Sequence, residues 1–202
     1  MFKKVSFILA VTAFSVALTG CKGNKGGSNK VYKDQVVIHG LSDAKGLNPI
    51  TTSDAYSNEY IIPNLFQTLL AYDHQTMEII PVLAKARPVV RVNGDLAEMD
   101  FELRPEAAWD NGAPITVDDV LFSFKTAFCP KVNNDNVKPG VDYIKDFKTY
   151  PDNNRKFTVV CNKYIGMEDG VGYDIKIMPE AVYDPKQTLR KYTLSSLISG
   201  NA

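Results

Sequence analysis

The spacing of hydrophobic and polar positions predicts a chain in which short strands and helices alternate. Residues 36–38 form an apolar run typical of a strand. Across residues 53–73, apolar side chains recur at every fourth position, which indicates a helix with a broad buried face that begins or kinks at Pro63. Residues 89–105 predict a hairpin, because an Asn-Gly turn signal at residues 93–94 precedes a stretch of alternating apolar and charged side chains.

The stretch at residues 109–124, WDNGAPITVDDVLFSF, combines a turn, a proline and a helix start. Its Asp-Asn-Gly triplet predicts a turn that tolerates positive φ. Thr116 is suited to be the N-cap of the following helix, and Asp119 stands where the acid of a capping box belongs. Because each of these residues has a structural role of its own, the stretch predicts a scaffold and no reacting group.

The second half of the chain carries further structural signals. Residues 156–162 predict a strand with one buried face, and residues 173–178 predict a second short strand before a turn at Pro179. The Asn-rich residues 133–136 lack the glycine and glutamate of a calcium loop, so they indicate a polar surface loop.

The N-terminal residues predict export and a lipid anchor. A lysine pair precedes an apolar run at residues 5–18, which is too short for a transmembrane helix and is typical of a secretory signal. The run ends in LTGC at residues 18–21, which resembles the lipobox of bacterial lipoproteins. That resemblance implies a signal peptide over residues 1–20, lipidation of Cys21 and a flexible tether over residues 21–29, on the periplasmic face of a bacterial membrane. The alternative is an ordinary signal peptide with an incidental cysteine.

Composition and charge narrow the class of protein. The 202 residues include 23 basic and 23 acidic side chains, so no basic surplus indicates a nucleic acid partner. Without residues 1–20 the formal net charge becomes about −2, because two lysines are removed with no acid. An exported chain meets an oxidising compartment, where Cys129 and Cys161 form either a disulfide or two buried free thiols.

The sequence contains no motif that indicates catalysis, a metal or a cofactor. Its two histidines, His39 and His74, lie on different elements, and no HExxH, Cys/His ligand spacing, GxSxG, Walker loop or GxGxxG occurs. We therefore expect no enzyme, no metal site and no cofactor. A serine, histidine and carboxylate converging from distant positions would instead favour an exported hydrolase.

Four stretches together resemble one family, the extracellular solute-binding proteins of peptide and nickel ABC importers. They are residues 41–57, residues 61–86, residues 101–124 and the pair of segments 156–167 and 177–184. The third is similar to the family pattern of an LR pair, a Trp, a Gly-Pro turn and a Thr-Ala-x-Asp helix start. Val117 departs from it, since the family usually has alanine there.

The resemblance implies a mixed α/β fold of the type II periplasmic binding protein kind, with its N-terminal part present and the second lobe missing. Residues 30–51 and 164–202 would belong to the sheet lobe, and residues 52–163 would form an inserted scaffold subdomain. Family members are more than twice as long, so we expect this chain to be a fragment of a longer protein.

The resemblance also implies a lipid-anchored receptor that delivers oligopeptides or dipeptides to ABC permease subunits. The resemblance also places a loop where the first strand meets the cleft, and either it exposes main-chain groups to the ligand or it is a plain connecting loop. The residues of this loop are Ser42, Asp43, Ala44, Lys45, Gly46 and Leu47. Tyr143 lies where relatives present a cleft tyrosine, or it is a surface tyrosine. Nickel, haem and oligosaccharides are alternative ligands, and an exported hydrolase or surface adhesion protein is the alternative class.

Overall fold

The computed structural model describes residues 39–40, 42–163 and 171–200. The predictions for the signal peptide, Cys21, the tether and the strand at residues 36–38 therefore lie outside the described residues. No helix in the described part of the chain has the length and apolar character needed to cross a membrane.

The helix predicted over residues 53–73 is much shorter in the structure. Leu65 is exposed and Leu70 lies in a strand, so the sequence prediction was wrong for its second half. The chain leaves the helix at Phe66, whose backbone is extended, because Leu70 and Ala71 pair with Pro81 and Ile80. The elements are a π-helical turn at Ser57–Ile61, α1 at Ile62–Leu65, β1 at Leu70–Tyr72 and β2 at Ile79–Pro81.

Four antiparallel strands form the largest sheet among the described residues. Its spatial order is β3-β4-β6-β5. The strands are β3 at Val89–Asn93, β4 at Leu96–Glu102, β5 at Ile144–Tyr150 and β6 at Asn153–Asn162. The predicted hairpin is thus β3-β4, with its turn one residue later than expected. Asn93 pairs with Leu96, so Gly94 and Asp95 form the two-residue loop, and Gly94 supplies the positive φ of 62°.

The two faces of the sheet differ in chemistry, as the alternation along β4 predicted. Met99 and Phe101 are buried, and the ring of Phe157 stacks between those of Phe101 and Phe147 at centroid distances of 5.3 and 4.9 Å. On the opposite face, Arg91 pairs with Glu98 and Asp100. These exposed ion pairs contribute little to stability, so the apolar face is what holds the sheet to the rest of the chain.

Helix α2, at Val117–Phe128, begins as the sequence predicts. Gly112 has a φ of 82°, which the preceding turn requires. The carboxylate of Asp119 accepts a hydrogen bond from the Thr116 main-chain N–H at 3.0 Å and another from its hydroxyl at 3.2 Å. The buried Phe124 ring of this helix makes an edge contact with Phe147 of the sheet.

Helix α2 also holds the chain that returns after the sheet, which we call the return segment, residues 171–180. The Ser123 hydroxyl accepts a hydrogen bond from the Met178 N–H at 2.8 Å. The second carboxylate oxygen of Asp119 accepts one from the Glu180 N–H at 3.0 Å. Both side chains are buried, so these bonds satisfy main-chain donors that water does not reach.

The remaining elements are short, and those after residue 179 pack against α2. The Arg190 guanidinium connects two of them to α2, because it donates hydrogen bonds to the buried carboxylate of Glu180, at 2.6 Å, and to the carboxylate of Asp118, at 2.8 Å. The elements are α3 at Lys138–Val141, α4 at Glu180–Tyr183, a 3₁₀ turn at Thr188–Lys191 and α5 at Leu194–Ile198.

The strand predicted over residues 173–178 is not formed: Tyr173 belongs to a helical turn, Asp174 lies in a bend, and the residues that follow join neither sheet. The Ile177 N–H donates to the Gln67 carbonyl at 2.9 Å, and the neighbouring hydrogen bonds go to side chains of α2. The described elements are nevertheless a mixed α/β set, which agrees with the predicted class. The four-stranded sheet lies wholly within residues 52–163; the division into a sheet lobe and an inserted subdomain remains a prediction.

We expect Asp119→Ala to lower the free energy of unfolding by about 3 kcal/mol, because it removes a helix cap and leaves the buried Glu180 N–H without an acceptor. Urea denaturation measures this loss, and hydrogen exchange should show faster exchange at the Glu180 amide. Asp135→Ala, at an exposed position, is the matched control. An unchanged Glu180 exchange rate in Asp119→Ala would contradict the role assigned to this carboxylate.

Candidate functional site

The loop predicted to meet the ligand is an open segment. Ser42, Asp43, Ala44 and Lys45 are exposed, and Leu47 keeps 49% of its surface accessible. The Lys45 main-chain N–H donates to the Ser57 hydroxyl at 3.3 Å, which attaches the loop to the π-helical turn.

Three of these residues line a cleft of about 470 Å³, which we call the loop cleft. Lys45, Gly46 and Leu47 form one side, and residues 51–55 form another. Gly46 lies so close to Thr52 that a β-carbon there would sit 2.8 Å from the Thr52 Oγ1 atom. Any larger residue at position 46 would therefore push the loop away from the cleft wall.

Hydrogen bonds from side chains fix the shape of the loop cleft. Asn48 Oδ1 accepts from the main-chain N–H of Ile50, at 2.9 Å, and from that of Thr51, at 3.2 Å. Asp54 accepts from the N–H and the hydroxyl of Ser57, and these bonds lower the pKa of its carboxyl below the ordinary value. The wall therefore has a defined conformation.

The Asn-rich loop at residues 133–136 supports the same wall. Asn136 Nδ2 donates to the Thr52 carbonyl at 3.0 Å, and Asn58 Nδ2 donates to that carbonyl at 2.9 Å. Asn134 is buried and its amide donates to the Ala127 carbonyl at 2.7 Å. The prediction of a polar surface loop was therefore wrong for Asn134. The side-chain amides of Asn134 and Asn136 reach these carbonyls only after the chain has folded. No local sequence pattern therefore indicated that they support the cleft wall.

A second cleft of about 580 Å³, the apolar cleft, adjoins the first and shares Asn48 and Thr51 with it. Its walls come mainly from the loop after α2, at residues 129–133, and from residues 183–192, with single contributions from the return segment and α5. Its walls include Phe122, Cys129, Met178, Leu189, Tyr192 and Leu197. Such a size and lining are typical of small-molecule sites, and also of surfaces that another segment covers.

Tyr143 is not brought to either cleft. It directly precedes β5, its carbonyl accepts from the Asn162 N–H at 2.8 Å, and its half-buried ring packs against the core. Tyr143 is also not among the residues that line the loop cleft or the apolar cleft. The alternative prediction, a surface tyrosine, fits only in part, because the half-buried Tyr143 ring contacts the core.

The two cysteines lie in different surroundings, and both are free thiols in this structure. Cys161 is fully buried on β6, and this burial raises the pKa of its thiol to about 11. Cys129 follows α2 and lines the apolar cleft with 7% of its surface accessible. The structure therefore contains no bond between Cys129 and Cys161.

Comparison with protein families gives one match. The family model described as bacterial extracellular solute-binding proteins, family 5 (middle region), matches residues 78–180, which is half of the chain. The matched residues include the whole four-stranded sheet and α2. A comparison with curated protein sequences gave no match.

Several solved structures have a similar fold. The oligopeptide-binding protein of Thermus thermophilus, solved with a pentapeptide, is 24% identical with a TM-score of 0.54; the alignment covers 75% of this chain and 28% of that one. NikZ of Campylobacter jejuni, solved with Ni(L-His), is 22% identical with a TM-score of 0.56, covering 76% and 28%. DppA of Helicobacter pylori, an ABC transporter-associated periplasmic binding protein solved with the peptide STSA, is 19% identical with a TM-score of 0.56, covering 77% and 32%.

These likenesses confirm the predicted fold class, a partial periplasmic binding protein fold. The chain spans less than a third of the length of each of the three solved structures.

We expect iodoacetamide at pH 8 to leave Cys161 unlabelled in the folded protein, because its thiol is buried and its pKa is about 11. In urea both Cys129 and Cys161 should be labelled, and peptide mass spectrometry distinguishes them. Labelling in urea that requires prior reduction would instead demonstrate a disulfide between them and contradict the free thiols of the structure.

Proposed function

The chain belongs to family 5 of the bacterial extracellular solute-binding proteins, and on that premise we propose that it forms part of a receptor that binds peptides outside the cytoplasm and delivers them to an ABC importer. The family is one of binding proteins, and the three solved structures described above contain a pentapeptide, Ni(L-His) and the peptide STSA. Two of those ligands are peptides, and one of the proteins is associated with an ABC transporter.

The observation that carries the proposal is the open loop at residues 42–47 beside a wall of defined shape. Exposed main-chain N–H and C=O groups can pair with an extended peptide as an added strand would, which gives affinity with little dependence on the peptide's side chains. Gly46 allows the loop to lie close to the cleft wall, because its contact with Thr52 leaves no room for a side chain. The wall behind the loop is held by Asn48, Asp54 and Asn136 and does not need to be ordered by the ligand.

Nickel complexes are the second candidate ligand, because one relative was solved with Ni(L-His). Haem and oligosaccharides are further alternatives within the same function. An exported hydrolase or an adhesion protein is less well supported, since the matched family binds solutes.

We further propose that Cys21 carries the lipid that anchors the receptor on the outer side of a bacterial membrane. The support is the LTGC sequence at residues 18–21 after an apolar run, followed by a glycine-rich tether. An anchored receptor stays close to its permease, which raises the local concentration of the ligand-loaded form.

We expect the native protein to bind an equimolar pool of synthetic peptides of two to five residues, and Gly46→Ala to weaken that binding about 10-fold, because the added methyl group displaces the loop. Calorimetry measures the affinity, with Ni(L-His), haem and a mannose oligosaccharide as competing ligands. The double variant Gly46→Ala/Thr52→Ala should recover most of the affinity, and Thr52→Ala alone is its control. Binding of a competing ligand but not of the peptides would reject the peptide assignment.

We expect Cys21→Ser to move the protein from the membrane fraction to the soluble fraction of its native cells, because the residue that would carry the acyl chains is gone. Metabolic labelling with radioactive palmitate should mark the unaltered protein and Cys129→Ser, and should not mark Cys21→Ser. Cys129→Ser is the matched control and should remain in the membrane fraction. Equal fractionation of Cys21→Ser and Cys129→Ser would exclude the anchor.

A further inference from the structure

The sequence contains two Asn-Gly pairs, Asn93-Gly94 and Asn111-Gly112, and the structure places both in turns. All four residues are exposed, and the two glycines have positive φ, 62° and 82°. In such a pair the main-chain nitrogen of the glycine can attack the side-chain amide carbon of the asparagine, because no glycine side chain hinders the approach. The rate of this reaction depends on whether the two reacting groups are free to meet.

Hydrogen bonds occupy both reacting groups of the second pair. The Gly112 N–H, which would supply the attacking nitrogen, donates to the Trp109 carbonyl at 2.9 Å. The Oδ1 atom of Asn111 accepts from the Ala113 N–H, also at 2.9 Å. Both bonds must break before the Gly112 nitrogen can reach the side-chain carbon of Asn111, so this turn protects its asparagine.

The reacting groups of the first pair make no such bonds. Among the described residues, neither the Gly94 N–H nor the Asn93 side chain has a hydrogen-bond partner. Gly94 lies in the two-residue loop of the hairpin, outside the ladder that joins β3 to β4. Asn93 pairs with Leu96, but this pair is the last of the ladder, and β3 is an edge strand of the described sheet. Opening the hairpin at Asn93 therefore disturbs a single terminal pair.

We propose that Asn93 is a site of spontaneous deamidation. The Gly94 main-chain nitrogen attacks the Cγ atom of Asn93, and the new C–N bond closes a succinimide ring. The C–N bond to the side-chain nitrogen breaks, and that nitrogen leaves as ammonia with the proton of the Gly94 N–H. Water then opens the ring at either of its carbonyl carbons, which gives aspartate or isoaspartate at position 93. Water is the co-reactant, so the inference does not depend on the proposed receptor function.

Both products change the hairpin. A carboxylate at position 93 adds a negative charge close to Asp95, the second residue of the loop. Isoaspartate also lengthens the main chain by a methylene group at the entrance to the loop. Because the length of this loop fixes the register of β3 against β4, we expect the isoaspartate form to lose the pair between position 93 and Leu96.

The test incubates the native protein at pH 8 and follows the peptides that contain Asn93 and Asn111 by mass spectrometry, with chromatography to separate the aspartate and isoaspartate forms. In the folded protein the Asn93 peptide should convert about 10- to 100-fold faster than the Asn111 peptide, because two hydrogen bonds must break at the second site. In urea the two peptides should convert at similar rates, because the turns that distinguish them are lost.

The variant Asn93→Gln should stay unconverted at position 93, because its longer side chain closes the ring less readily. Asn111→Gln is the matched control and should convert at Asn93 as the unaltered protein does. Equal rates at the two sites of the folded protein, or faster conversion at Asn111, would overturn the inference. A difference between the sites that persists unchanged in urea would also overturn it, because neighbouring residues and not the folded turns would then set the rates.

Discussion

The carboxylate of Asp119 is the group on which the rest of this structure depends. One of its oxygens closes the N-terminus of α2 by accepting from Thr116, and the other accepts from the main chain of Glu180. A single buried side chain thus defines where the central helix begins and where the returning chain lies against it. Ser123, one helical turn further on, adds a second bond to the same segment. Because both acceptors are shielded from water, the alternative to these bonds is an unsatisfied main-chain donor, which is costly.

This attachment has consequences for the candidate site. The return segment lies outside both sheets, so its position depends on α2 at one end and on packing against Leu70 at the other. The loop cleft is likewise supported by side chains, since Asn136 and Asn58 both donate to the Thr52 carbonyl. Surfaces built in this way are ordered before a ligand arrives, so little affinity is lost to ordering on binding.

The ionisable groups fall into two kinds. Arg190, Glu180 and Asp118 satisfy one another within the folded chain, and the exposed pairs around Glu98 on the outer face of the sheet do the same. Asp174 and Lys176 are partly removed from water without that compensation.

Local patterns in the sequence were sufficient for several features. The capping box at Thr116 and Asp119, the positive φ at Gly112 and the alternating faces of β4 all depend on neighbours within a few residues, so the sequence predicted them correctly. The family resemblance was visible for the same reason, since its turn and helix signature is a contiguous stretch. The ligand contact at residues 42–47, which the family resemblance implied, stays a prediction; three of these residues line a cleft.

Other features were decided by contacts between distant residues. The helix after Pro63 stops at Leu65 because Leu70 and Ala71 pair with β2, and their strand pairing outweighs a helical apolar pattern. Asn134 and Asn136 look like solvent-exposed residues until α2 and Thr52 are brought to them. Asp174 comes to lie against Gly140 of α3 only when the return segment has packed there. The sequence by itself determined the local turns, caps and faces, whose energies are set within one turn or one pair of strands. The tertiary structure alone decided which polar groups are buried and how they are satisfied, because that depends on contacts between segments far apart in the chain.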